Sequence, residues 1–184
     1  MRLVRSAIDS VPSSTDDVLA ALVPKVRRWL HRILGATQAL DDVTQDALIE
    51  IARALPGFRG ESAVETFAYR ITIRVAGRAL KRMPKEEVSL ELVPGLADRQ
   101  DPHSRLAQRD MVRALYRALD ELSTKRRLVF VLCEIEGLSP AEAANVLGEG
   151  AATVRSRLRR ARDQISERLR GDPRLAWLDD GESR

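Results

Sequence analysis

The sequence predicts an all-α protein built as two small helical domains joined by a flexible linker. Three observations lead there. Leu, Ala and Arg dominate the 184 residues while aromatics make up only 4%, a composition that favours helices over sheets. Apolar residues recur at three- and four-residue steps through most of the chain. The recurrence breaks between residues 83 and 104, where Pro84, Pro94, Gly95 and Pro102 stand in an acidic stretch that is long for a loop inside one compact domain.

Residues 1–14 read as a loose N-terminal arm. Thr15, Asp16 and Asp17 then supply a cap and first-turn acids for a helix. Its apolar positions are Leu19, Leu22, Val26, Leu30, Ile33 and Leu34, Pro24 is a place for a kink or restart, and Gly35 ends it. The next helix is expected from Leu40 to Leu55, with Leu40, Val43, Ala47, Ile51, Ala54 and Leu55 inward and Pro56-Gly57 as the stop. Asp42, Gln45, Asp46 and Glu50 share another of its faces. An acidic stripe is usually a solvated face; here it is also a candidate surface for a basic partner. After the loop Phe58 to Glu61, Ser62 and Glu65 match a capping box and open a helix to about Arg82. Val64, Phe67, Ala68, Ile71, Val75 and Ala79 are its expected core side. Arg70, Arg74, Arg78 and Arg82 recur every four residues beside Lys81. Cations at that spacing repel along an isolated helix, which points to an anionic partner.

Residues 83–104 carry two basic and five acidic side chains and read as the linker. Beyond Ser104, Leu106, Met111, Leu115, Leu119 and Leu122 predict one helix, and Lys125 to Ile135 a second. Ser139-Pro140-Ala141-Glu142 is a strong helix start: serine caps, proline takes the first helical position, and glutamate closes the box. That short helix ends at Leu147-Gly148. A longer one runs from Ala151 to about Arg170 with Val154, Leu158, Ala161, Ile165 and Leu169 inward. Residues 151–170 hold seven Arg against two acids. Residues 171–184, with Trp177, form a tail that matches no pattern.

Composition bounds the chemistry. A hydrophobic fraction of 44% excludes wholesale disorder. The net charge of +4 and pI near 9.7 are mild, but the uneven distribution implies a polyanionic partner for part of the chain. Cys133 is the only cysteine and lies in an apolar run, where a buried thiol is expected. It allows no disulfide framework and fits a reducing, cytoplasmic setting. No apolar run is long enough to insert in a membrane, and the N-terminus lacks a secretory signal core. His31 and His103 have no partners at metal-ligand spacing, and His31 reads as a surface or interface residue. No Gly-rich phosphate loop occurs. No catalytic site, metal or cofactor is therefore expected.

A short capped helix, a Gly-containing turn and a basic helix make the layout of a helix-turn-helix. Its second helix must present donors to base edges and neutralise phosphates at its flanks. Thr153, Arg155, Ser156 and Arg159 are the polar side chains of the first turns; Arg157, Arg160 and Arg162 follow. A solvated Arg-rich helix in a bundle is the bland alternative.

The run from Leu138 to Gly148, followed by Thr153-Val154-Arg155-Ser156-Arg157-Leu158-Arg159-Arg160-Ala161-Arg162, resembles region 4 of extracytoplasmic-function sigma factors. Leu119 to Gly137 fits the same region. Gly150 stands where a proline or capping residue is common, and Ala152 where glycine is common. Asp41-Asp42-Val43-Thr44-Gln45-Asp46 is similar to the region 2 helix that docks on the polymerase β′ coiled coil. Phe58 to Ser62 and Thr66 to Ile71 look like the part that opens and reads the −10 element, with Phe67 in place of the usual tryptophan. The resemblance covers about residues 15–82 and 105–170 and implies a sigma factor with region 2-like and region 4-like domains. It implies core polymerase binding through Asp42, Gln45, Asp46 and Glu50. It implies −10 contacts from Arg59, Glu61, Ser62, Arg70, Arg74, Arg78 and Lys81, and −35 contacts from Thr153, Arg155, Ser156, Arg157, Arg159, Arg160 and Arg162. Core RNA polymerase, promoter DNA and an anti-sigma factor are the implied partners. A free-standing helix-turn-helix regulator, dimeric on a palindrome, is the alternative reading; it would have no use for the acidic stripe.

Overall fold

A computed structural model describes residues 15–83 and 102–170, with side chains placed outside 102–109. The expected arm, most of the linker and the tail lie outside the described residues, as does the His103 side chain.

The first domain is α1 (Thr15–Leu34), α2 (Leu40–Ala54) and α3 (Val64–Arg82). In α1, Leu22, Val26, Leu30, Ile33 and Leu34 are buried, as the periodicity predicts. Pro24 lies inside this continuous helix and does not restart it: it faces solvent, as does Ala20, whose carbonyl loses a partner there and can turn to water. Gly35 takes a φ of 83°, a left-handed conformation that glycine adopts without strain. Leu40, Val43, Ala47 and Ile51 of α2 are buried. A 3-10 turn over Leu55–Gly57 then stops the chain at the expected proline and glycine.

The start of α3 differs from expectation. Ala63, not Ser62, is the N-cap, and no side chain caps the helix. Glu65 is engaged elsewhere: it accepts from Lys25 of α1, so it does not fold back to close a box. The Ser62 hydroxyl lies 3.4 Å from the Ala63 carbonyl oxygen instead.

The second domain is α4 (Pro102–Glu121), α5 (Thr124–Phe130), α6 (Pro140–Leu147) and α7 (Ala151–Arg168). Pro102, expected in the linker, opens α4 at the first helical position, where a missing N–H costs nothing. The helix expected from Lys125 to Ile135 is α-helical only to Phe130 and continues as a π turn over Val131–Ile135, closed by Glu136 N–H on the Val131 carbonyl at 2.9 Å. Cys133 is half-buried rather than buried, and its burial pushes the thiol up to about 11.

One hydrophobic core runs through both domains. Its largest fully buried side chains include Leu22, Leu30, Ile51, Ile71, Ile73, Leu119, Phe130, Leu132 and Ile165. α3 joins the halves, packing on α1 and α2 and also on α5 and α6. The predicted core residues Ala68, Ile71, Val75 and Ala79 are buried, but so are Tyr69, Ile73 and Ala76 on a second side. Phe67, expected inside, is half-buried and packs on Phe58 with ring centres 4.9 Å apart. His31 is 3% exposed rather than a surface residue, because the second domain covers the last turn of α1.

Candidate nucleic-acid and polymerase interface

The helix-turn-helix is built from local chemistry. Ser139 N–H donates to the Glu142 carboxylate at 2.9 Å, and Glu142 N–H donates to Ser139 Oγ at 3.3 Å, so both partners of the capping box are made. These bonds to Ser139, the backbone one first, hold the Glu142 carboxyl below the usual range. Gly148 closes α6 in the left-handed region at φ 66° and its N–H reaches the Ala144 carbonyl. Glu149 N–H bonds the same carbonyl at 3.0 Å. Gly150 begins α7 without a side-chain cap.

Val154, Leu158, Ala161 and Ile165 anchor α7 in the core. That fixes which side chains remain outside: Thr153, Arg155, Ser156, Arg159 and Arg160 are all exposed. Arg157 and Arg162 are half-buried and engaged within the domain. Arg157 donates to Glu149. Arg162 donates to Glu134 from Nε at 2.9 Å, with Nη2 at 2.7 Å. The seven candidates therefore divide into five on an open face and two tied back to acids. Arg168 with Glu121 at 2.8 Å and Arg126 with Gln164 at 3.1 Å tie the later turns of α7 to the helices before it.

In the first domain the loop Arg59, Gly60, Glu61, Ser62 is exposed throughout. Gly60 turns it with a φ of 73°, and the Phe58–Phe67 pair pins its entrance to α3. Arg70, Arg74, Arg78, Lys81 and Arg82 are exposed along α3. Asp42, Gln45 and Asp46 are exposed on α2 and Glu50 is half-buried. The two stripes meet, since Arg78 donates to Glu50. They line an open groove of ≈ 410 Å³ whose walls include Asp46, Ile49, Glu50, Arg53, Arg78 and Arg82. Ile49 and Arg53 were missed from sequence. Ile49 is 39% exposed, and its position three residues after Asp46 and four after Gln45, an apolar residue interrupting a polar stripe, is the signal that could have found it. No group of His, Cys, Asp and Glu among the described residues could hold a metal ion. No described helix is long and apolar enough to cross a membrane.

Comparison with known proteins agrees with both halves. Residues 18–83 match the family described as Sigma-70 region 2, and residues 112–165 match Sigma-70, region 4. The RNA polymerase sigma-H factor of Pseudomonas aeruginosa is 33% identical, over 78% of this chain and 83% of its own length. The ECF RNA polymerase sigma-E factor of Escherichia coli K12 is 29% identical, over 84% of this chain and 94% of its own. Among solved structures, CnrH in complex with the cytosolic domain of CnrY superposes with a TM-score of 0.56 at 27% identity, covering 86% of this chain and 88% of that one. The sigma factor RpoE in complex with the anti-sigma factor NepR from Bartonella quintana shares the fold, with a TM-score of 0.57 at 22% identity over 85% and 97% of the two chains. With two sigma-70 segments in order along one chain, and relatives that match across most of both chains, the protein belongs to the extracytoplasmic-function RNA polymerase sigma factors, which confer promoter-specific transcription initiation.

Proposed function

We propose a division of this work among the residues described above. Residues 15–82 act as the domain that binds core polymerase and the −10 element, residues 105–170 as the −35 domain, and residues 83–104 as the linker. Asp42, Gln45, Asp46 and Glu50 form the polymerase-facing edge, where acids complement a basic partner surface. Arg59, Glu61 and Ser62 sit beside the unstacked bases of the −10 element, and Arg70, Arg74, Arg78 and Lys81 neutralise its phosphates. Unstacking costs a few kcal/mol per step, which contacts to the displaced strand offset.

The observation that carries the −35 assignment is the open face of α7. Thr153, Arg155, Ser156, Arg159 and Arg160 project together from a helix whose opposite face is locked in the core. Arginine at the first turns of such a helix can bind guanine through two parallel hydrogen bonds. Arg157 and Arg162 act from the edge of this face, contacting phosphate only on leaving Glu149 and Glu134. The chain supplies recognition and melting, and polymerase supplies the chemistry; no catalytic residue or cofactor is assigned to it, and its place is the cytoplasm. An anti-sigma factor is a further partner, supported by the two solved relatives that are complexes with such proteins or, in the case of CnrY, with a cytosolic domain.

Footprinting with purified core polymerase tests the assignment. Protection of two elements that requires both proteins supports it. Protection of a palindrome by the chain alone makes it a free-standing regulator instead.

A further inference from the structure

α3 begins without the usual support. The first N–H groups of a helix have no intrahelical partners, and Ala63, the N-cap residue here, offers them no side chain. What reaches this end comes from α1. Lys25 donates to the Glu65 carboxylate, and Glu65, in the first turn of α3, places its negative charge at the positive end of the helix. The Glu65 side chain is 12% exposed and that of Lys25 37%, so the carboxylate is mostly withdrawn from water and Lys25 supplies the cation it faces. Four residues further along both helices, Trp29 meets Tyr69 edge-on, with ring centres 4.9 Å apart. The ion pair and the ring pair are in register, and the ion pair is the one nearer the start of α3.

The loop proposed to read the −10 element is attached at this point. Residues 59–63 are exposed throughout and belong to no helix. At the entrance, Phe58 N–H donates to the Leu55 carbonyl at 3.0 Å and the Phe58 ring packs on Phe67. At the exit, Phe67 N–H donates to the Ala63 carbonyl at 3.1 Å, and Lys25 holds Glu65 two residues on. Inside the loop, the Ser62 hydroxyl stands 3.4 Å from the Ala63 carbonyl oxygen, which is long for a hydrogen bond between oxygens. A loop held chiefly at its ends takes its shape from them and loses it when either end gives way. Without Lys25, the half-buried carboxylate of Glu65 is left without its cation, a costly state. It regains water by unwinding the uncapped first turn of α3, and Ala63 moves with that turn.

We propose that Lys25 is a positioning residue for −10 recognition: by clamping Glu65 across the contact of α1 with α3, it fixes the shape in which Arg59, Glu61 and Ser62 receive unstacked bases. The proposal deepens the assignment of that loop to the −10 element and rests on it. Lys25 itself touches no base; it acts through Glu65. If the loop keeps its receptive shape in only about one molecule in ten once the clamp is gone, apparent affinity for the displaced strand falls about tenfold, because the bases must then also order the chain that binds them. Polymerase binding through α2 and duplex binding through α7 draw on neither residue.

The test compares the full chain with Lys25→Met, Glu65→Gln, the two combined, and Lys25→Arg. Each is assembled with core polymerase and titrated with the single non-template strand of a promoter selected from a random library by the unmodified holoenzyme, with 2-aminopurine in its −10 element to report unstacking. Lys25→Met and Glu65→Gln should each weaken binding of that strand about tenfold and reduce its preference over a scrambled −10 strand. The combined variant should be no worse than either alone, and Lys25→Arg, which keeps a cation, should bind as the unmodified chain does. Polymerase affinity, −35 duplex affinity and helix content by circular dichroism should stay unchanged. In the free chain, nitrogen-15 relaxation should show residues 60–63 gaining motion in the two single variants and not in Lys25→Arg. Full strand affinity and preference in Glu65→Gln, or a loss that Lys25→Arg shares, overturns the proposal; should Lys25→Met lose helix content, these two variants decide alone. If Arg59→Ala and Ser62→Ala leave strand binding unchanged, the −10 assignment fails, while the relaxation measurement still decides whether Lys25 orders the loop.

Discussion

Arg157, on the recognition helix, donates to Glu149, the residue between the two helices of the motif. Lys125 Nζ stands 3.8 Å from the other oxygen of the same carboxylate. One acid in the turn therefore fixes the entry of α7 against α5 and holds back a cation from the surface proposed to face DNA. Both side chains of the Arg157–Glu149 pair are about one quarter exposed, so a double-mutant cycle with Arg157→Ala and Glu149→Ala should give a coupling of about 0.5–1 kcal/mol in denaturant unfolding. Glu149→Gln should release Arg157 and strengthen binding to DNA of any sequence. A zero coupling with unchanged DNA affinity would remove this role.

Substitutions at Arg155 and Arg160 are expected to separate specificity from affinity. Arg155→Ala should lose about 1–3 kcal/mol of discrimination at one −35 position, since that is what a good bidentate base contact contributes. Arg160→Ala should weaken binding to all sequences alike and flatten the slope of log K against log salt by about one unit. Equal slopes for wild type and Arg160→Ala would show that Arg160 touches no phosphate.

The Arg78–Glu50 pair links the two stripes of the first domain. Both side chains are substantially exposed, at 46% and 38%, so folding stability should change by less than about 1 kcal/mol on Glu50→Gln. Asp46→Ala and Asp42→Ala should weaken core polymerase binding in a pull-down or anisotropy titration while leaving the −35 duplex affinity of the chain untouched. A loss of duplex binding in those variants would place the acids outside the polymerase-facing edge.

Ser139→Ala should cost about 1 kcal/mol in urea unfolding, the usual loss for a removed N-cap. Glu142 adds a pH dependence with a definite sign. Its carboxyl is held below its ordinary 4.5 in the folded state. The stabilisation is therefore complete above that ordinary value and is lost as pH falls through the lower folded one. The stability gap between wild type and Glu142→Gln should shrink as the buffer is taken into that acid range. A gap that does not change there would mean that the bonds to Ser139 do not persist in solution.

Features set by neighbours in the chain were legible from sequence. The Ser139–Glu142 box, the Gly35 and Gly148 stops and the inward faces of α1, α2 and α7 depend on spacing within a turn or two, and spacing is what a sequence displays. The box expected at Ser62 and Glu65 has the same spacing but not the same outcome, because Lys25, forty residues away, takes the carboxylate. Tyr69, Ile73 and Ala76 were not counted as core because a helix buried on two sides shows no single apolar stripe. Arg127, 4% exposed, gave no signal: arginine is ordinarily a surface residue, and its partners include the backbone carbonyls of Ile33 and Leu34, which have no sequence signature. Arg157 and Arg162 read as part of a uniform basic run, and only the positions of Glu149 and Glu134 divide them from Arg155, Arg159 and Arg160.

The most direct test of the whole account is reconstituted transcription: the purified chain with core RNA polymerase on a promoter library, reading the start sites. Initiation is expected only when both proteins are present, from promoters sharing two elements with the spacing of −35 and −10 sites, and it should be lost on Arg155→Ala or Asp46→Ala. Unchanged polymerase activity on every template, or initiation that does not depend on a shared upstream element, would contradict it.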